Sequence, residues 1–226
     1  EYLAGLHLGV STDTQDITGN IVAESAALPD EAALREALGR FIGDIEQIPP
    51  MYSAIKIGGK KLYELARRGE SVERAPRKIT VSAIDIAGRD GDDYILNISC
   101  SKGTYVRTLC SDIGEALGCG ACMSSLRRTR AGVFSVDDAH SLADIEAAVR
   151  EGRLSDIILP VDTLFASFPK LTVSQSAAKR LKNGNIIKIS AEDGEYKVYS
   201  DSDEFLLLGR VECGKLKTIK SFYEVS

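Results

Sequence analysis

Residues 78–117 constrain the fold more than any other stretch. Two strand-like runs, 78–87 and 93–102, are joined by the turn sequence GRDGD, and the second leads through SKGTY into a helical pattern. There Val106, Leu109, Cys110, Ile113 and Leu117 recur at i, i+3, i+4, i+7 and i+11, the spacing of one apolar helix face. That stripe reads as the buried face of the helix, and strands mixed with helices imply an α+β unit. Upstream, YLAGLHLGV (2–10) alternates as a further strand, STDTQDITGN supplies turn chemistry, and Ile21-Val22 marks a second short strand. From Asp30, Leu34, Leu38, Phe41 and Ile42 recur at the spacing of a helix that packs one face. IPPMYSAIKIGGKKLYELARRG passes from a Pro-bounded extended piece through a Gly58-Gly59 turn into a short basic helix ending near Gly69. LRRTRAGVFSV reads as a basic turn leading into a strand. Ser141 with Asp144 has the spacing of a capping box for a helix carrying Leu142, Ile145 and Val149. The class is α+β.

ILPVDTLFASFPK reads as a connection, after which the character of the sequence changes. A short helix from Ser174 is stopped by Asn183-Gly184, and four strand candidates follow: IIKI, YKVYS, FLLLGRVE and KLKTIKSF. With turns at AEDGE, DSDE and Cys213-Gly214, they predict a small β-barrel of about 55–60 residues. The expected organisation is a larger domain over 1–165 and a smaller one over 168–226, with no internal repeat.

Several function classes are excluded early. A hydrophobic content of 44% and a charged content of 27% suit a soluble globular protein, and no apolar run is long enough to cross a bilayer. EYLAGLHLGV lacks the basic n-region of a secretory signal, so a cytoplasmic location is expected. The chain opens at Glu1-Tyr2, without Met and directly in strand-like sequence, which predicts that an upstream piece of the same sheet has been removed. Five cysteines, an odd number, predict reduced thiols rather than a disulfide framework. Cys119-Gly-Ala-Cys122 is the only close pair, and a zinc site needs about four well-placed ligands, so no metal is expected. Two distant histidines, His7 and His140, argue against a Ser-His-Asp or Cys-His apparatus, and no glycine-rich nucleotide loop is present.

What remains suits a polyanion. The net charge is −5, yet residues 52–78 hold eight Lys or Arg against three acids. In KIGGKKLYELARRG and LRRTR, basic residues flank glycine turns that let backbone approach phosphate. Lys179, Arg180, Lys182 and Lys188 give the smaller unit a basic element of its own. RNA is the partner these features predict; a solvated basic surface is the competing reading.

Four blocks sharpen this expectation. LGVSTDTQDITG, PPMYSAIKIGGKKLYELARRG, SKGTYVRTLCSDIGEALGCGA and SSLRRTRAG, in that order within residues 2–133, resemble the successive signatures of the bacterial tRNA pseudouridine synthase B family. Residues 168–226 resemble that family's PUA domain, a small RNA-binding β-barrel. The resemblance implies isomerisation of a T-loop uridine of tRNA to pseudouridine without metal or organic cofactor, the target base being flipped from its stack. It implies that Tyr2 stacks on the flipped base and is a candidate for assisting removal of its C5 proton, and that Leu126 forms an apolar wall. Arg107 matches the arginine that pairs with the catalytic aspartate, keeping a carboxylate charged in a dry pocket. Tyr105 is expected near the site. Asp16 is expected to order its loop or touch RNA, and Asp13 to form a turn. Lys56, Lys60, Lys61, Arg127 and Arg128 are expected to contact the T-arm.

The nucleophile itself is expected in a Gly-x-Leu-Asp-Pro block upstream of Tyr2, and Leu-Asp-Pro occurs nowhere in these 226 residues. On that expectation the fragment alone is inactive. Two other readings stay open: a guide-RNA-dependent relative acting on ribosomal RNA, and a non-catalytic RNA-binding or RNA-folding protein. A monomer is the simplest assembly.

Overall fold

The computed structural model describes residues 1–223. The chain divides into two compact units, Glu1–Ala139 and His140–Ser226. The first is built in the order β1 (Tyr2–Leu8), β2 (Val10–Thr12), β3 (Ile21–Glu24), α1 (Glu31–Gly39), β4 (Gly43–Gln47), β5 (Lys56–Ile57), β6 (Lys60–Lys61) and α2 (Leu62–Ala66). It continues through β7 (Arg77–Asp90), β8 (Asp93–Cys100), α3 (Val106–Ala116), β9 (Ala121–Arg128), β10 (Arg130–Ala131) and β11 (Phe134–Ser135). Five strands form one antiparallel sheet in the order β4-β7-β8-β1-β9, which places β1 between β8 and β9. The remaining six make two-stranded ribbons.

Alternation along β1 turns Ala4, Leu6 and Leu8 to one face, where they meet Leu96 and Ile98 of β8 and the expected α3 stripe. Val106, Leu109, Cys110 and Ile113 are buried there, and Leu117 packs at the edge. Burial of each such aliphatic side chain contributes about 1.5–3 kcal/mol. Helix α1 starts at Asp30, whose carboxylate accepts from Ala33 N at 2.8 Å, and adds Leu34 and Leu38. It stops at Gly39, so Phe41 reaches the core from the following turn while Ile42 is exposed. The expected hairpin of β7 and β8 turns at Gly91-Asp92, with Gly91 at φ +57°.

Two strands of the five-stranded sheet were not foreseen. Strand β4 is a polar edge strand, GDIEQ, with too little apolar alternation to stand out. Strand β9 runs through Leu126–Arg128, so the basic turn expected at LRRTR is in part the end of an eight-residue strand. Its small and polar centre hides the period, and β1 supplies the ladder that stabilises it. Helix α2 is also shorter than expected, ending at Ala66 before a turn to Gly69.

The second unit contains α4 (Leu142–Arg150), β12 (Lys170–Val173), α5 (Gln175–Lys182), β13 (Ile187–Lys188), β14 (Gly194–Ser200), β15 (Phe205–Glu212) and β16 (Lys215–Ser221). The capping box at α4 is present: Ser141 Oγ accepts from Asp144 N at 3.2 Å, and the Asp144 carboxylate accepts from Ser141 N at 3.0 Å. The apolar residues of that helix do not pack as the spacing suggests. Leu142 is 80% exposed, Val149 is exposed, and Ala148 alone is buried. Strands pair in the order β12-β14-β15-β16-β13 over a core of Leu181, Val198, Leu206, Leu207, Val211 and Leu216. Strand β12 lies at the end of the stretch read as a connection and pairs parallel with β14.

Candidate active site

The register of β1 sets out the site. Tyr2 stands opposite Ile98 on one side and Arg128 on the other, and Ala4 stands opposite Leu96 and Leu126. Tyr2 and Ala4 share a face, so Leu126 and Arg128 project on that same face beside the Tyr2 ring. The Arg128 guanidinium lies 5.4 Å from the Tyr2 ring centroid. Leu126, on the edge strand β9, is 47% exposed, while Tyr2 is half-buried against the core. Arg127, opposite Leu3, projects from the other face, so the two arginines do not form one patch.

The site-side wall comes from the link between β8 and α3. A cavity of about 350 Å³ is lined by Tyr2, Cys100, Ser101, Lys102, Gly103 and Arg128, together with Glu1 and residues of the β10 turn. That link ends at Tyr105, the N-cap of α3, which brings the first turn of the helix and Arg107 to the same end of the sheet. Arg107 is half-buried and donates from Nη2 to the Tyr52 carbonyl oxygen. It makes no ion pair among the described residues.

Tyr105 is fixed through its backbone. The Gln47 carboxamide, 2% exposed at the end of β4, accepts from Tyr105 N at 2.8 Å and donates to Tyr105 O at 3.1 Å. Nothing in the sequence marks Gln47, because the partner is a main-chain group 58 residues away.

The TDTQD loop leans on the other flank of α3. Gln15, at φ +63°, accepts from Thr108 Oγ1 at 2.7 Å through its side chain, and its carbonyl accepts from Met123 N at 3.0 Å. Asp16 orders this loop: its Oδ1 accepts from Thr18 N at 3.0 Å and from Thr18 Oγ1 at 2.6 Å. Asp13 holds Asn20 in the same way, and those hydrogen bonds keep its carboxyl below the usual range. Both acids are therefore engaged in loop geometry. On α3, burial and then Glu115 push the Asp112 carboxyl up to about 6. Burial pushes the Cys110 thiol up to about 12 and Cys122 to about 11, so neither is a thiolate nucleophile at neutral pH.

The basic arm is a separate element of the same unit. Gly58 and Gly59, at φ +58° and +82°, form the two-residue turn between β5 and β6, and both positions need the left-handed region that glycine supplies. Lys56 and Lys60 project from this ribbon, exposed and without an ion pair among the described residues. Lys61 is instead taken up by Tyr63, its Nζ donating to the hydroxyl at 3.2 Å, and Arg67 lies over the same ring at 5.4 Å.

Comparison with known proteins matches this chain to a family. Residues 1–106 match the TruB family pseudouridylate synthase N-terminal domain, and residues 107–166 match the tRNA pseudouridylate synthase B C-terminal domain. The chain is 43% identical over 224 residues to tRNA pseudouridine synthase B of Chromohalobacter salexigens, covering 95% of this chain and 71% of that protein. It is 42% identical over 223 residues to the protein of the same name from Burkholderia mallei, covering 95% and 74%. Among solved structures, a Cbf5-Nop10-Gar1 complex shares the fold with a TM-score of 0.68 at 23% identity, over 98% of this chain. An H/ACA RNP bound to a substrate RNA containing 2'-deoxyuridine shares it with a TM-score of 0.67 at 22% identity, over 99%. This chain spans 65% of each of those two chains. With two family domains over its first 166 residues and relatives above 40% identity along nearly its whole length, the chain belongs to the TruB family of pseudouridylate synthases.

Proposed function

We propose that this protein isomerises a uridine in the T-loop of tRNA to pseudouridine. The observation that carries the reading is the pairing of Tyr2 with Arg128 and of Ala4 with Leu126 beside the first turn of α3. A flipped uracil enters between the Tyr2 ring and the exposed Leu126 side chain, an aromatic and an apolar surface that replace base stacking. The bond from ribose C1' to N1 breaks, the base turns, a bond from C1' to C5 forms, the C5 proton leaves and N1 takes up a proton. Tyr2, in this reading, assists removal of the C5 proton. In this reading the nucleophilic carboxylate comes from residues outside these 226, since no Leu-Asp-Pro occurs within them, and Arg107 keeps it ionised and oriented. The chemistry calls for no metal or organic cofactor.

The substrate contact falls to the ribbon of β5 and β6, to Arg127 and Arg128, and to a smaller unit over 168–226 read as PUA-like. The working form is a cytoplasmic monomer; no helix among the described residues is long and apolar enough to cross a membrane. The identity of 42–43% with proteins named for tRNA, against 22–23% with chains of the Cbf5-Nop10-Gar1 and H/ACA RNP structures, favours a tRNA substrate over guide-RNA-dependent action on ribosomal RNA. The test uses tRNA carrying tritium at uridine C5, incubated with the protein that contains these residues. Tritium released from the T-loop uridine, and lost when that position is cytidine, supports the reading. Binding without release supports a non-catalytic RNA-binding protein, as does an upstream coding sequence that contains no Leu-Asp-Pro.

A further inference from the structure

We infer that Gln47 is a positioning residue for Arg107, acting through the backbone of Tyr105; the inference rests on the isomerase reading above. Gln47 closes edge strand β4 and is a buried uncharged polar side chain whose two amide groups both serve one distant residue. Its oxygen takes the Tyr105 N–H and its nitrogen meets the Tyr105 carbonyl, at 2.8 and 3.1 Å. Tyr105 is the N-cap of α3 and has no side-chain cap bond of its own, so this clamp sets where the helix begins. Arg107 follows two residues later, and its guanidinium meets the Tyr52 carbonyl, which the chain leaving Gln47 delivers. One short stretch, Gln47 to Tyr52, therefore holds the catalytic arginine from its backbone side and from its tip. Neither an ionised nor an apolar replacement satisfies the clamp. Glutamate is the same size but cannot donate while ionised and sets a charge against a carbonyl. Methionine fills the volume with neither hydrogen bond.

In the protein that contains these residues, Gln47→Met is expected to lower the single-turnover rate on tRNA by about tenfold to a hundredfold, the scale of a small misplacement of a reacting group. Its tRNA affinity is expected to stay within about threefold of wild type, a change under 1 kcal/mol. Gln47→Glu distinguishes positioning from a structural role. Burial raises its carboxyl pKa, and the protonated acid both donates and accepts, so its rate relative to wild type should rise as pH falls, while that of Gln47→Met should not. Amide exchange at Tyr105 and Arg107, followed by mass spectrometry, should be faster in Gln47→Met than in wild type. The inference is overturned by wild-type rates in Gln47→Met, by a Gln47→Glu ratio flat with pH, or by unchanged exchange at Tyr105. If Gln47→Glu does not fold, the rate and exchange of Gln47→Met decide. If wild type itself releases no tritium, the isomerase reading fails, and the exchange measurement alone judges the clamp.

Discussion

Arg107 and Asp112 lie on one helix and meet opposite electrostatic situations. Arg107 stands half-buried in the first turn, its Nη2 facing a backbone carbonyl, whereas Asp112 sits further along where burial holds its carboxyl near 6. The folded state binds that proton more tightly than the unfolded chain, whose value is 3.8, so stability falls as pH rises through this interval. Asp112→Asn should therefore stabilise the protein at pH 8 by about 1–2 kcal/mol after allowance for solvent screening, with the difference vanishing below about pH 4. Urea unfolding of both proteins at the two pH values checks this; an equal difference at both would contradict it. At this scale the motif blocks pointed to Tyr2, Arg107 and Leu126, and the register of β1 and β9 puts Tyr2 and Leu126 on one face. Gln47 and Tyr52 were illegible, because each acts on or through main-chain groups that carry no residue signature.

Helix α3 and strand β9 approach so closely that the contact needs glycine. A Cβ on Gly114 would lie 2.1 Å from Ala121 N and 2.4 Å from Ala121 Cβ. Alanine in a helix interior ordinarily stabilises by about 1 kcal/mol relative to glycine. Here the sign should reverse, with Gly114→Ala costing roughly 1–3 kcal/mol or more through overpacking, seen as a lower thermal midpoint. An unchanged or raised midpoint would mean the two elements can separate without cost. In the other unit, Ser141→Ala should cost about 1 kcal/mol through loss of the capping box. Faster amide exchange in the first turn of α4 would report it. Helix α3 was legible because its apolar stripe from Val106 to Ile113 is buried. Strands β4 and β9 were not, since a polar edge strand and a strand of small residues take their stability from neighbours rather than from their own pattern.

Across the whole molecule, the proposed function assigns binding charge and chemistry to different parts. A chain of net charge −5 concentrates eight basic residues in 52–78, and the exposed Lys56 and Lys60 ride on a ribbon shaped by two left-handed glycines. Replacing Lys56, Lys60, Arg67 and Arg68 with alanine should weaken tRNA binding at low salt and flatten its dependence on salt by about 0.7–0.9 per lost phosphate contact. A salt slope equal to that of wild type would remove this arm from the interface. The proposed function asks the reverse of Arg107, which should contribute to the chemical step far more than to affinity. Arg107→Ala, introduced into the protein that contains these residues, tests that claim most directly when binding and single-turnover tritium release are measured on the same tRNA. The account predicts abolished turnover with affinity within about threefold of wild type; a normal single-turnover rate accompanied by a large loss of binding would contradict it.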